Sequence, residues 1–244
     1  NKTASIPPVA PKAVAPAQTE SEPSFELAVA TEESEAAGLN FAPASSDVEQ
    51  RAFDENTAVT LPQILEWMDE PEEHTADLIR ALQFGENAGV CALAAVGLGQ
   101  CPADESFERV LREAAVSESE LLKVSSLDAL ILHGATKKAD VEVLLTLATS
   151  ESPGIRSQSA ATLRNLAGTP WSDACVAGLG SLLDDTDGTV RLMAASTLGD
   201  FGADAEPQRA ALTRLAKTDS TAAAAAQLAL HRINTESVSE PPSE

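Results

Sequence analysis

From Thr60 onward the apolar residues recur at helical spacing. In "TLPQILEWMDE" Ile64, Leu65, Trp67 and Met68 supply an apolar face. Pro62 sits in the first turn, where its missing N–H costs little. "PEEHTADLIRALQFG" puts Leu78, Ile79 and Leu82 inside behind an early Pro71, with Gly85 as a candidate for the residue that ends the helix. "NAGVCALAAVGLGQCP" reads as a helix of small residues closing near Gly99 and Pro102.

The pattern then repeats. "LATSESPGIRSQSAATLRNLA" and "LLDDTDGTVRLMAASTLGDFG" superpose at an offset of 35 residues, with Ile155 under Val190, Arg156 under Arg191, Ala160 under Ala195 and Leu163 under Leu198. Anchored on Leu98, Leu130, Leu163, Leu198 and Leu230, the spacings are 32, 33, 35 and 32. Each anchor has an apolar or small residue eight positions earlier: Val90, Leu122, Ile155, Val190 and Ala222. First helices align too, Val141, Leu144 and Leu147 with Val176, Leu179 and Leu182. Two amphipathic helices per unit at this period predict an all-α, right-handed solenoid of about five helical hairpins over residues 58–234. One hairpin cannot bury its apolar face alone; stacked neighbours share a single core.

Residues 1–57 show no such period. "IPPVAPKAVAPAQTESEP" is rich in Pro, Ala and acid and reads as an extended, largely irregular tail. Short apolar islands interrupt it: Phe25, Leu27 and Val29, then Leu39 and Phe41, then Phe53. These are the expected partner-docking residues of a segment that orders on binding. Residues 235–244 form a short acidic C-terminal tail.

The period alone also suits tetratricopeptide and ankyrin arrays, but neither signature occurs. "DDTDGTVRLMAASTLGDFG" instead resembles HEAT-like repeats of the phycobilisome-lyase type: acids in the turn (Asp184, Asp185, Asp187), then Val190 and Arg191, small Ala194 and Ala195, Leu198, and closing Gly199 and Gly202. "SPGIRSQSAATLRNLAG" matches through Ile155, Arg156, Ala160, Leu163 and Gly168, and "ELLKVSSLDALILHGA" carries Lys123 in place of Arg. The resemblance covers about residues 75–233. It implies a binding scaffold, or, in the lyase branch, a chromophore chaperone that cradles a bilin, and it points towards a plastid. A chain that begins at Asn1 with a Pro/Ala lead also fits trimming after import or export.

The motif has its own physics. Turn acids lie near the N-terminus of the second helix, where the helix dipole favours negative charge. Lys123, Arg156 and Arg191 open that helix and are placed to bridge to acids in the neighbouring turn. If Ile155, Ala160 and Leu163 face the core, Ser157, Gln158 and Arg164 face outward. The related positions Val124, Ile131, Leu192 and Met193 would then form an apolar recognition patch in a groove.

Charge narrows the partners. The formal net charge is −22 and the pI about 4.3. Net −7 falls on residues 1–55, −3 on the last eleven and −12 between. Acid spread this widely excludes a phosphate-tracking surface, and with it a nucleic-acid solenoid. It favours protein partners with basic or apolar surfaces. No run of apolar residues approaches the roughly 18 that a membrane span needs, which leaves association with a membrane complex open.

Chemistry is sparse. Cys91, Cys101 and Cys175 show no CxxC and read as small buried hydrophobes. His74, His133 and His231 fall in different repeats, without a second ligand at i+3 or i+4, so no metal site is expected. No nucleophile elbow, P-loop or zincin motif occurs, and "VGLGQC" follows no strand. The sequence therefore predicts no catalytic residues and no cofactor. It predicts a non-enzymatic scaffold or adaptor within a larger assembly. A bilin's propionates would want basic residues and polar aromatics, and the chain has no Tyr.

Overall fold

A computed structural model describes residues 58–239, with side chains to Thr235. The expectations for the N-terminal tail lie outside the described residues: Phe25, Leu27, Val29, Leu39, Phe41 and Phe53. So does the end of the acidic C-terminal tail. Among the described residues all regular structure is helical, with one isolated bridge between Val59 and Gly85.

The chain opens with a short helix, α1 (Leu61–Trp67), whose Ile64 and Trp67 are buried. Thr60 starts it, its N–H donating to Gln63 Oε1 at 2.9 Å. A 3-10 turn from Pro71 to His74 leads into five hairpins. They are α2 (Thr75–Phe84) with α3 (Ala88–Gln100), α4 (Glu105–Ala114) with α5 (Glu120–Leu132), and α6 (Lys138–Leu147) with α7 (Pro153–Leu163). Then come α8 (Ser172–Leu182) with α9 (Gly188–Asp200), and α10 (Arg209–Thr218) with α11 (Ala223–Ser239). Second helices stack in sequence, α3 on α5 on α7 on α9 on α11, beside a layer of first helices.

Local chemistry sets the ends. Asn87, Asp104, Ser119 and Asp187 cap α3, α4, α5 and α9, each side-chain oxygen accepting first-turn backbone N–H groups. Gly134, Gly168 and Gly202 follow second helices with φ of 71°, 70° and 53°, a left-handed conformation that a side chain would strain. Gly85 differs from expectation. Its φ is −60°, so it is not a left-handed terminator. A Cβ there would lie 2.7 Å from the Ala81 carbonyl oxygen, so close backbone approach is what calls for glycine.

The core is one continuous apolar seam. Leu98, Leu130, Leu163 and Leu198 are fully buried, while Leu230 is half-buried on α11, whose far flank carries no further described hairpin. The small residues bring second helices close. A Cβ on Gly99 would lie 3.1 Å from Ala129 Cα, and one on Gly199 3.2 Å from Ala229 Cα. Cys101 and Cys175 are buried and Cys91 half-buried; burial pushes the Cys175 thiol up to about 11.

Candidate functional site

Two features of the second helices bear on function: a ladder of ion pairs at their N-terminal ends and a groove between α7 and α9.

The ladder starts with Arg156. Its guanidinium binds Asp185 of the next hairpin through Nε at 2.7 Å and Nη2 at 2.8 Å. Its Nη1 donates to the Ser150 and Glu151 carbonyls at 2.8 and 3.1 Å. Arg191 repeats the arrangement, with Nε 2.5 Å from Asp219 and Nη1 on the Asp185 and Thr186 carbonyls at 2.8 and 3.1 Å. One planar fork thus fixes its own turn and the neighbour's, which an ammonium group could not match.

The three turn acids divide the labour. Asp184 is exposed and paired with Arg214 at 2.7 Å. Asp185 takes Arg156, and Asp187 caps α9 through Thr189 and Val190 N–H. In the last hairpin Asp219 does both jobs, pairing with Arg191 and accepting from Thr221 and Ala222 N–H. The hydrogen bond from Arg156 holds the Asp185 carboxyl below its ordinary value; the Ala222 N–H and then Arg191 do the same for Asp219.

Lys123 makes no ion pair among the described residues. The place equivalent to Asp185 is Ser150, whose hydroxyl bonds Glu120 at 2.7 Å. That junction is instead tied between first-helix ends, where Arg112 pairs with Asp140 at 3.1 Å and with Glu108 at 2.9 Å.

The groove is an open cleft of about 420 Å³. Pro153, Gly154, Ser157, Gln158 and Ala161 of α7 form one wall; Asp187, Thr189 and Met193 form the other. Gln158 is held by Ser125 of α5 at 3.1 Å, and on that same helix Asp128 accepts from Asn165 at 3.2 Å. Burial pushes the Asp128 carboxyl above its ordinary value, against the pull of Thr162 and Asn165.

Of the four apolar positions expected in a groove, Met193 lines it and Leu192, its neighbour on α9, does not; both are half-buried and packed on the core. Val124 and Ile131 require correction: they are 0% and 7% exposed and belong to the core. Their helix, α5, is covered by α3 on one flank, α7 on the other, and α4 and α6 behind. Little of its circumference stays open. The missed signal was the run "LKVSSLDALIL", whose apolar and small residues fall on every side with only Lys123 and Asp128 charged, which marks a helix buried on several sides.

Sequence reasoning also missed Asp200, on which Arg164 at 2.7 Å and Arg232 converge from the neighbouring hairpins. His133 packs against Phe107, rings 5.9 Å apart, with both ring nitrogens buried and unbonded among the described residues. His74 stacks on Trp67 and approaches Asp77 at 3.3 Å. Among the described residues no group of three or more His, Cys, Asp or Glu is arranged to hold a metal ion, and no helix is long and apolar enough to cross a membrane.

The comparisons with known proteins agree with this geometry. The HEAT repeat family profile matches residues 141–231, the stretch from α6 to α11 that carries the Arg–Asp ladder. No curated protein matches the chain. Among solved structures, the crystal structure of an engineered protein aligns with a TM-score of 0.52 at 22% identity, over 71% of this chain and 88% of the other. A designed armadillo repeat protein aligns with a TM-score of 0.47 at 17% identity, over 71% of this chain and 87% of the other. The matched family is that of HEAT repeats in general and does not reach the phycobilisome-lyase type. Stacked hairpins, the recurring Arg–Asp rung and the family profile together give residues 141–231 the build of HEAT repeats, and the helical-hairpin fold continues through the described residues before them.

Proposed function

We propose that the protein is a non-enzymatic protein-binding scaffold, a subunit of a larger assembly, and that the α7–α9 groove takes a segment of a partner. Repeat solenoids offer extended surfaces rather than convergent catalytic groups. The observation that carries this reading is the open groove, with Met193 presented between the neutral polar Ser157, Gln158 and Thr189. Asp187 in its lining favours a segment with an apolar centre and a basic rim. The apolar islands at Phe25, Leu27, Val29, Leu39, Phe41 and Phe53 supply a second contact in this reading, ordering on the partner. A bilin finds little to bind in the groove: its lining has no Arg, Lys or His.

The test uses the full chain. A protein captured from native material by wild type should be released by Met193→Asp and, independently, by Ala161→Arg, each variant keeping its helical spectrum and melting temperature. The expected loss is about 1–3 kcal/mol, the scale of a modest hot spot. Capture that ignores both substitutions in folded protein rejects the groove. Phe25→Ser with Phe41→Ser should weaken capture without touching the melting temperature; undiminished capture rejects the tail contact.

A further inference from the structure

Charge is unevenly divided along the array. Residues 58–108 hold ten acids and one base, Arg80, whereas residues 109–234 hold fifteen acids and twelve bases. In the second stretch many bases meet acids directly, as Arg156 does Asp185, Arg164 Asp200 and Arg214 Asp184. The first stretch has one base for its ten acids, and only at its end does Glu108 meet Arg112 and Lys137 of the second. Glu66, Asp69, Glu70, Glu72 and Glu73 crowd the corner between α1 and α2, all exposed.

The same end exposes apolar side chains. Leu61, Leu65 and Phe84 are 43%, 53% and 63% exposed. Leu61 and Leu65, four residues apart on α1, share an exposed stripe that adjoins the buried Ile64 and Trp67. The end of α2 that carries Phe84 is tied to the start of α1: the Phe84 carbonyl accepts the Val59 N–H at 3.3 Å, and Glu86 accepts the Leu61 N–H at 3.4 Å. A single exposed leucine means little. Three large exposed apolar side chains on two elements joined at their ends, inside an acid surplus, are a different surface.

We propose that this end of the array docks a basic amphipathic segment of a partner protein. The segment's apolar side chains cover Leu61, Leu65 and Phe84, and its Lys or Arg residues face Glu66, Asp69 and Glu86. Charge complementarity selects this occupant. A second copy of the chain would bring acid onto acid. Residues 1–55, with ten acids and three bases, would do the same. Anionic lipid or nucleic acid would be repelled. The surface is separate from the α7–α9 groove, so either site can fail without the other.

The experiment measures fluorescence anisotropy of a labelled 18-residue amphipathic helix of Leu and Lys on the full chain, with a Leu/Glu helix as control. The Lys helix should bind and the Glu helix should not. Leu65→Ser with Phe84→Ser should weaken binding about tenfold, and Glu66→Lys with Asp69→Lys should do so while flattening the salt dependence. Glu113→Lys with Glu151→Lys, and Ala161→Arg in the groove, should change nothing, and every variant should keep its helical spectrum. Equal losses from both acid pairs would mean general attraction to a polyanion and overturn the proposal, as would full binding by the Leu65/Phe84 variant. Self-association of wild type that Leu65→Ser abolishes would assign the stripe to a second copy. Hydrogen-exchange protection of α1 in the free chain, lost on Phe41→Ser with Phe53→Ser, would assign it to the chain's own N-terminal residues; either result overturns the proposal.

Discussion

At the scale of the residue, the arginine fork is the unit that joins hairpins. Arg156 satisfies two carbonyls of its own turn and both oxygens of Asp185. Arg156→Met should lower the melting temperature by a few degrees at pH 7. Arg156→Lys should recover little, because a point charge cannot serve four acceptors in a plane. Asp185 has its carboxyl lowered in the fold, so the stability it contributes is present above the unfolded value near 4 and is lost as pH falls through the folded one. The gap between wild type and Arg156→Met should therefore close below about pH 4 in thermal melts. The positions of Arg156 and Arg191 were legible from spacing alone. Asp219 was not, because the last hairpin lacks the two-residue gap between ladder acid and cap that separates Asp185 from Asp187. Asp200 was missed because nothing in its own helix marks it; its partners, Arg164 and Arg232, lie in other hairpins.

At the scale of the element, second helices are held on several sides and first helices on fewer. Leu163 lies fully buried in this seam. Leu163→Ala should cost about 2–5 kcal/mol in denaturant unfolding. Gly199→Val tests the close approach of α9 and α11. Its branched side chain has only 3.2 Å to Ala229 Cα, so the helices must part, at about 1–3 kcal/mol. The number and order of hairpins were readable from the 32–35 residue period, which any helix pair must keep to share one core. The exposed face of a second helix was not. Facing direction follows from how much of the circumference neighbours cover, and Val124 and Met193 occupy related but differently covered places. Met193 reaches a groove because α7 presents Gly154, Ser157 and Ala161 opposite it, residues too small to fill the space.

At the scale of the whole molecule, the described residues divide into an acid-rich beginning and a charge-matched remainder. Raising salt should stabilise α1 and the turn after it by screening their crowded acids, and weaken the Arg–Asp rungs of the last three hairpins. Residue-resolved hydrogen exchange at low and high salt would show opposite changes at the two ends; a uniform change would contradict the division. This asymmetry was present in the sequence but invisible in a total of −22, because a sum does not say which acids already have partners.

The placing of the rungs has a last consequence, for the order in which the array comes apart. Rungs of the Arg156 kind occur at the third-to-fourth and fourth-to-fifth junctions, whereas the first two hairpins meet through apolar contact around Gly99 and Ala129. At neutral pH, crowded carboxylates on α1 and the turn after it repel one another, and opening should begin at that end. Falling pH takes the charge from Asp185 and Asp219 and dissolves their pairs with Arg156 and Arg191. The third-to-fourth and fourth-to-fifth junctions then lose their rungs, so that acidity moves the point from which the array unzips towards its far end.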